Sequence, residues 1–368
     1  MKKVVLPGDD AALVDPSFSS AVIAWQKQHG RHALPWQNTR DAYRVWLSEI
    51  MLQQTQVAAV LGYYARFLER FPTVFDLAAA PSEDVMAQWS GLGYYTRARN
   101  LHACAKRVVD EYGGEFPSDP GLLAQLPGIG RSTAAAIAAF SAGVRAAILD
   151  GNVKRVFARV FEVDAYPGEK KVEDALWRRA EALLPGEGIE AYTQGLMDLG
   201  ATLCMRSSPD CVRCPLKDRC GAHASGRTAE LPVRKPKKAS PEKQAAMMIV
   251  IDSGEVLLEQ RADSGIWGGL LSLPELAGHG ALDEAAGIDD VVGGARRFGE
   301  VEEVEPLLPL VHVFTHYKLH IAPYRVALSR RADTPASHVW WRLSETDAAP
   351  LPAPVKKLLA QFGSARLF

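Results

Sequence analysis

The chain has 368 residues, which is enough for two domains that each bury a hydrophobic core. Its content of 48% hydrophobic and 23% charged residues is ordinary for a soluble globular protein. The formal net charge of -1 excludes a general electrostatic attraction to a polyanion. Any contact with nucleic acid must therefore come from local basic patches.

The amino terminus, residues 1–6, begins like a signal peptide but runs directly into Pro7-Gly8-Asp9-Asp10, so no apolar insertion region follows. Nowhere does an apolar run approach the ~20 residues of a membrane span. We therefore expect a cytoplasmic protein without a membrane partner.

Residues 17–201 carry apolar side chains three and four positions apart, broken by short Gly and Pro turns, which predicts successive amphipathic helices. In one of them, residues 45–56, apolar neighbours surround Glu49. Burial disfavours the charged form of a carboxyl and raises its pKa, so Glu49 is a candidate general acid near neutral pH. The alternative is a glutamate on the polar side of an amphipathic helix.

The segment Leu-Pro-Gly-Ile-Gly-Arg-Ser-Thr at 126–133 predicts a tight turn that leads into a helix starting near Arg131. Gly128 and Gly130 can adopt a positive φ and carry no Cβ that would keep a ligand from the backbone. The free amides of the helix start suit a phosphate, although the segment alone also fits an ordinary capping turn between packed helices.

About twenty residues later, an apolar run ends at Asp150, which is followed by Gly151 and Asn152. Taken alone, Asp150 is a good N-cap for the next helix.

Four of the five cysteines cluster with the spacing C-x6-C-x2-C-x5-C. In a reducing compartment four close thiols indicate a metal site rather than disulfides, and zinc is the generic occupant. The remaining Cys104 lies on a predicted helix, where a buried small hydrophobic residue is expected. The clustered residues are Cys204, Cys211, Cys214 and Cys220.

Residues 227–244 are basic, rich in proline and poor in core residues, which is typical of a connector. Beyond it we predict strands at Ala245–Ile251 and Glu255–Gln260, which pair across Asp252-Ser253-Gly254. Further strands are predicted at Val311–His316 and Leu319–Ala327, with a closing helix at Val355–Phe362.

The segment Ser264–Leu270, followed by Leu273-Pro274-Glu275, is similar to the beginning of a Nudix-type fold. The G-x5-E-x7-R-E-x2-E-E box that binds catalytic metal in such hydrolases is absent from the residues that follow. This argues against a nucleotide pyrophosphohydrolase and favours a recognition module.

Several long segments, in the same order along nearly the whole chain, resemble the adenine DNA glycosylase family (MutY type) of the helix-hairpin-helix, or endonuclease III, superfamily. They are Leu34–Trp36, Leu47–Val57, Gly91–Asn100, the 126–133 hairpin, Leu149–Arg155 and the four cysteines. The resemblance implies removal of adenine that is mispaired with 8-oxoguanine in double-stranded DNA. It also implies that the cysteines hold a [4Fe–4S] cluster rather than zinc.

Breaking an N-glycosidic bond requires an acid that protonates the leaving base and a negative charge near the cationic sugar. In this resemblance Glu49 protonates adenine at N7 and later helps to activate water. Asp150 stabilises the sugar cation, and Asn152 orients Asp150.

The same resemblance places Arg31, Trp36, Leu52 and Gln194 around the extruded adenine, where the Gln194 amide offers a donor and an acceptor. Gln54 and Tyr94 would wedge into the duplex and offset the cost of unstacking. The alternatives are core positions for Trp36 and Leu52 and ordinary packing or surface roles for Tyr94 and Gln194.

Ser132 stands where endonuclease III carries the lysine that forms a Schiff base with the sugar. A hydroxyl cannot form an imine, so we expect base removal without strand cleavage. In the second domain, Phe314-Thr315-His316 stands where the family has a Phe-Ser-His segment that senses 8-oxoguanine.

The sequence thus predicts an all-helical HhH-GPD catalytic domain (1–203), an iron–sulfur loop (204–226), a connector (227–244) and a Nudix-like α+β recognition domain (245–368). We expect a monomeric, nucleoid-associated enzyme that acts on adenine opposite 8-oxoguanine or guanine. Two alternatives are a bifunctional pyrimidine glycosylase/lyase of endonuclease III type, which Ser132 disfavours, and a lesion-binding protein without catalysis, which Glu49 and Asp150 disfavour.

Overall fold

The computed structural model describes residues 14–235, 240–262, 265–276, 286–314 and 317–363. The chain forms two compact units, each built from several stretches of sequence. The first contains the described residues up to Tyr64, Phe71–Ala78 and Ala103 onward to the connector. The second contains Ala65–Arg70, Ala79–His102 and the described residues after the connector.

The part of the chain before the connector is helical, as predicted, and several helix boundaries follow from local sequence. Asp15 caps α1, where its carboxylate accepts from the Ser17 amide at 3.0 Å and Pro16 fits the first turn. Gly143 ends α8 with a left-handed φ of 67°. The helices are α1 Pro16–His29, α2 Ala42–Leu52, α3 Val57–Arg70, α4 Val74–Ala79, α5 Ser82–Trp89, α6 Thr96–Tyr112, α7 Pro120–Leu123, α8 Arg131–Ala142, α9 Gly151–Val160, α10 Lys170–Ala182, α11 Ile189–Asp198 and α12 Gly221–Ala224, with a π-helical turn at Leu199–Leu203 and a 3₁₀ turn at Lys217–Arg219.

The core of the first unit packs α1, α8, α9 and α11 together. Phe18 of α1 meets Phe157 of α9 edge to face, with ring centroids 5.9 Å apart. Cys104 is fully buried in α6 and its pKa is raised to about 12, which agrees with the expected packing role. This packing fixes α9, and with it Asp150, against the rest of the helical unit.

The second unit contains a mixed sheet. Its main path has the order β3-β2-β1-β6-β4, while β5 pairs with β6 and β7 with β2. The central pair β1 and β6 is parallel, and the other pairs are antiparallel. The elements are β1 Glu242–Asp252, β2 Glu255–Gln260, β3 Leu271–Ser272, α13 Ile288–Ala295, β4 Gly299–Pro306, β5 Leu310–Val313, β6 Lys318–Arg331, β7 His338–Arg342 and α14 Ala353–Gly363.

The predicted strands of this sheet are confirmed, with shifted ends. β1 and β2 turn through Ser253 and Gly254, whose φ values of 49° and 79° suit a tight hairpin. β5 ends at Val313, earlier than predicted, and Thr315 and His316 lie outside the described residues.

The helical sequence does not pack as one body. Residues 79–102, which contain α5 and the start of α6, cluster with the sheet of the second unit. Ser90 donates to the Leu351 carbonyl at 2.9 Å, and Arg99 donates to the Gly268 carbonyl at 2.5 Å. The predicted domain boundaries at residues 203, 226 and 244 were drawn from the sequence, and they differ from the units that these contacts define. They stay a prediction.

Candidate functional site

Glu49 lies in the last two turns of α2, whose N-cap Asp41 accepts from the amides of Tyr43 and Arg44. Burial and, as the smaller cause, the charge of Asp150 together raise the pKa of Glu49 to about 8. The pKa of Glu49 was expected to be raised because of its apolar neighbours. The structure adds a second carboxylate that is close enough to act on it.

Asp150 is the N-cap of α9, where Oδ1 accepts from the Val153 amide at 2.8 Å and Oδ2 from Asn152 Nδ2 at 3.2 Å. Burial raises the pKa of Asp150, while these hydrogen bonds and the charge of Arg155 oppose that shift. The capping role and the electrostatic interaction with Glu49 therefore coexist in one side chain.

An open cavity of about 1190 Å³ in the first unit brings Arg31, Trp36, Glu49 and Gln194 together. Trp36 is 7% exposed and packs edge to face on Tyr64, with ring centroids 5.3 Å apart. Trp36 is therefore both a core residue and a wall of the cavity. Leu52 is half-buried on α2 and does not line this cavity.

Sequence reasoning missed a fully buried carboxylate, Asp198, at the end of α11. It accepts from the Arg31 backbone amide at 2.8 Å, from Arg31 Nε at 2.7 Å and from Gln194 Nε2 at 2.8 Å. Two residues of the cavity wall thus share one buried anchor. The i, i+4 spacing of Gln194 and Asp198 was the available signal in the sequence.

The 126–133 hairpin connects α7 to α8. Gly128 has a φ of 77°, as its type allows, whereas Gly130 has a φ of -87° and is the N-cap of α8. Gln53 Nε2 donates to the Gly128 carbonyl and to Thr133 Oγ1, both at 3.4 Å, which links the end of α2 to the hairpin. Ser132 Oγ accepts from the Leu149 amide at 3.0 Å.

Gln54 and Tyr94 share an uncommon backbone conformation, with φ values of 57° and 50°. Left-handed backbone is disfavoured for residues with a Cβ and concentrates at functional sites. Both side chains are exposed, and Tyr94 is 45% exposed despite its large ring. Both residues that the sequence predicts as wedges thus combine an uncommon backbone conformation with an exposed side chain.

The four clustered cysteines line one cavity of about 420 Å³, whose walls include Val156, Val160, Leu199 and Leu216. Within the described residues, no three His, Cys, Asp or Glu side chains are placed to share a single metal ion. The loop thus gathers its four thiols around one common space.

Two arginines of α9 connect the cysteine loop to its surroundings. Arg155 donates to the Cys204 carbonyl and to Asn152 Oδ1, both at 2.8 Å, and Asn152 in turn donates to Asp150. Arg159 is 1% exposed and donates to Cys204 Sγ at 3.3 Å. The cysteine loop is therefore hydrogen-bonded to α9, the helix that Asp150 caps.

The second unit contains its own open cavity of about 1230 Å³. Tyr94, Trp267, His312, Phe314 and Tyr317 line it. Phe314 stacks on Tyr317 with ring centroids 4.6 Å apart, so one residue of the predicted 314–316 segment lies in an aromatic wall. The other two lie outside the described residues.

Comparisons with known proteins agree with this architecture. Residues 47–182 match the family model of the HhH-GPD superfamily base excision DNA repair protein, and residues 245–361 match that of the NUDIX domain. Among the described residues, no helix is long and apolar enough to cross a membrane.

Two relatives cover most of the chain. An adenine DNA glycosylase of Buchnera aphidicola (subspecies Acyrthosiphon pisum) is 34% identical over 348 residues, which cover 94% of this chain and 97% of the relative. The adenine DNA glycosylase of Homo sapiens is 33% identical over 411 aligned positions, which cover 93% of this chain and 73% of the human protein.

Among solved structures, a thermostable thymine-DNA glycosylase aligns with a TM-score of 0.52 and 30% identity, covering 57% of this chain and 96% of that one. Endonuclease III in a non-covalent DNA complex aligns with a TM-score of 0.50 and 23% identity, which supports the helical fold alone. The predicted resemblance and fold class are confirmed: the chain belongs to the adenine DNA glycosylase family of base excision repair enzymes, which bind DNA and hydrolyse N-glycosyl bonds.

Proposed function

We propose that this DNA glycosylase excises adenine mispaired with 8-oxoguanine or guanine in duplex DNA and leaves the DNA strand intact. The observation that carries the proposal is the pair of half-buried carboxyls, Glu49 and Asp150, which interact electrostatically. Two such groups in different protonation states are what the cleavage of a glycosidic bond requires.

Glu49 acts as the general acid. With a pKa of about 8, its carboxyl holds a proton at neutral pH and can deliver it to adenine at N7, so that the base leaves as a neutral molecule. Having given up this proton, Glu49 is a carboxylate and can accept a proton from the attacking water.

Asp150 supplies the negative charge that the sugar needs when the bond breaks. The Val153 amide, the Asn152 amide and Arg155 favour its ionised form, in opposition to burial. Asn152 also fixes the carboxylate orientation, because it bonds Asp150 through Nδ2 and accepts from Arg155 through Oδ1.

The cavity beside Glu49 receives the extruded adenine. Trp36 offers an apolar face, and Arg31 and Gln194 offer polar groups to the base edges. Leu52 is half-buried on the same helix as Glu49 and does not line the cavity, and we infer that it meets the base only in the complex with DNA.

DNA contacts come from the hairpin and from the strained residues. The hairpin that contains Gly128 and Gly130 offers backbone amides to a phosphate at the start of α8. Gln54 and Tyr94 enter the duplex where adenine has left, which offsets the cost of unstacking.

The second unit recognises the base opposite adenine. The Phe314 ring lies in the aromatic wall of its cavity. In the sequence, Thr315 stands where the family has a serine, and His316 follows it. A Nudix-like fold without the metal-binding box fits recognition better than hydrolysis.

Ser132 makes the reaction monofunctional. Its hydroxyl cannot form an imine with the sugar, and it already accepts from the Leu149 amide.

Cys204, Cys211, Cys214 and Cys220 hold a [4Fe–4S] cluster, which is typical of this superfamily, and the cluster would order the loop between them. Elemental analysis of the purified protein tests this: iron and acid-labile sulfide are expected, and zinc without iron would contradict it.

The decisive assay incubates the enzyme with duplexes that carry adenine opposite 8-oxoguanine, guanine or thymine, with and without subsequent alkali. We expect strand breaks after alkali with the first two duplexes and intact DNA without alkali. Breaks without alkali would indicate a lyase, and intact DNA in every arm would contradict the proposed reaction. A single species of monomer mass in light scattering is also expected.

A further inference from the structure

Behind the wall of the cavity that Glu49 lines lies a polar anchor, the carboxylate of Asp198. Asp198 is absent from the cavity lining and is fully buried, yet it bonds two residues of the wall, Arg31 and Gln194. Its carboxylate also accepts a hydrogen bond from the Arg31 backbone amide, so it fixes both the main chain and the side chain of Arg31.

The chain around this anchor leaves little room for it to move. A Cβ at Gly30 would lie 3.1 Å from Asp198 Oδ2 and 2.5 Å from the Gln26 carbonyl, so a side chain there would displace the anchored loop. Gln37 Nε2 donates to the Arg31 carbonyl at 2.9 Å, which holds the same loop from the other side. Asp198 and the loop at Arg31 therefore hold each other in place behind the cavity wall.

The chemistry of the carboxylate determines which way the Gln194 amide points. An ionised carboxylate paired with a guanidinium only accepts hydrogen bonds, so the nitrogen end of the amide must face it. The oxygen end is then available to a base in the cavity that Gln194 lines. Among the described residues, no donor to Gln194 Oε1 is found.

We propose that Asp198 is a positioning residue that sets selectivity for a 6-aminopurine over a 6-oxopurine by presenting the Gln194 carbonyl oxygen to the base. Adenine carries a donor, the exocyclic amine, where a 6-oxopurine carries an acceptor oxygen that would face another acceptor. The inference rests on the proposal that this cavity receives adenine.

The test uses Asp198→Asn and duplexes that carry either adenine or hypoxanthine opposite 8-oxoguanine. An asparagine can donate to the Gln194 oxygen, which lets the amide turn and present its nitrogen to the base. We expect the hypoxanthine-to-adenine ratio of single-turnover rates to rise about tenfold, the effect of one hydrogen bond of ~1.4 kcal/mol. The exposed Asp110→Asn is the matched control and should leave the ratio unchanged.

A merely structural role would lower both rates in the same proportion, and an unchanged ratio in a folded Asp198→Asn would overturn the proposal. Gln194→Ala provides a second test that does not depend on folding of the first variant, because it removes the amide itself. It should also raise the ratio, and Asp198→Asn should add nothing to it in the double variant. A Gln194→Ala enzyme with the wild-type ratio would also overturn the proposal.

Glu49→Gln separates this inference from the proposed function. If Glu49→Gln loses adenine excision while the ratio stays constant in both other variants, only the inference about Asp198 fails. If Glu49→Gln excises adenine at the wild-type rate, the proposed active site fails, and the inference fails with it.

Discussion

The Ser132 hydroxyl accepts a hydrogen bond from the Leu149 backbone amide at 3.0 Å. This bond fixes the first turn of α8 against the residue directly before Asp150, although the two bonded residues are 17 positions apart in the chain. Ser132, at which we propose that lyase chemistry is lost, thus also supports the backbone next to Asp150.

Ser132→Lys is expected to introduce lyase activity. A lysine amine at this position can attack the sugar and form an imine, which the serine hydroxyl cannot. Borohydride should then trap a covalent adduct between the variant and DNA that carries adenine opposite 8-oxoguanine. Wild-type protein in the same reaction is the control, and the absence of any adduct with a folded variant would contradict the proposed geometry.

Glu49→Gln is expected to lower the single-turnover rate of adenine excision at least ~100-fold, the usual contribution of a general acid. Glutamine keeps the shape of the side chain but has no proton to give. Binding to the mismatched duplex, measured by fluorescence anisotropy, should be retained. A rate within a few-fold of wild type would remove Glu49 from the mechanism.

The same variant should stabilise the fold at alkaline pH. Glu49 has a pKa of about 8 in the folded protein against an ordinary value of 4.5, so the folded state retains a proton that the unfolded state has released. The contribution of Glu49 to the free energy of unfolding is therefore fully present below pH 4.5, and it is lost as the pH rises toward about 8. Thermal denaturation should show Glu49→Gln more stable than wild type near pH 8 and closer to it near pH 4.5. Equal differences at both pH values would contradict the raised pKa.

Asp150→Asn is expected to keep the helix-capping role of this side chain and to remove its negative charge. Asparagine is also a good N-cap, so α9 should persist and the melting temperature should change little. The rate should fall ~100-fold or more because the sugar cation loses its counter-charge. The residual activity should also decline at a lower pH than in wild type, since the charge that raises the Glu49 pKa is gone. A decline at the wild-type pH would show that the two carboxyls do not interact.

Much of the fold was predictable because its signals are local. The apolar periodicity indicated the helices, and the turn at Ser253 and Gly254 fixed the β1–β2 hairpin. The packing of residues 79–102 with the sheet was not predictable, because it depends on contacts such as Ser90 with Leu351, which are 261 positions apart.

In the candidate site, too, the residues with local sequence signals were predictable and those that depend on distant contacts were not. Glu49 and Asp150 stand in recognisable segments, so their types and local surroundings suggested their chemistry. Asp198 was missed because its partner Arg31 is 167 residues away and neither residue alone indicates an ion pair. The left-handed backbone of Gln54 and Tyr94 likewise appears only in three dimensions.

If a protonated Glu49 drives excision, the wild-type single-turnover rate must depend on pH through the Glu49 carboxyl. Adenine opposite 8-oxoguanine is the substrate, and DNA binding is kept saturated at every pH. We expect a constant rate around neutral pH that falls tenfold per pH unit above about 8, as the Glu49 proton is lost. A rate that stays constant well above that pH, or that rises through it, would exclude Glu49 as the general acid.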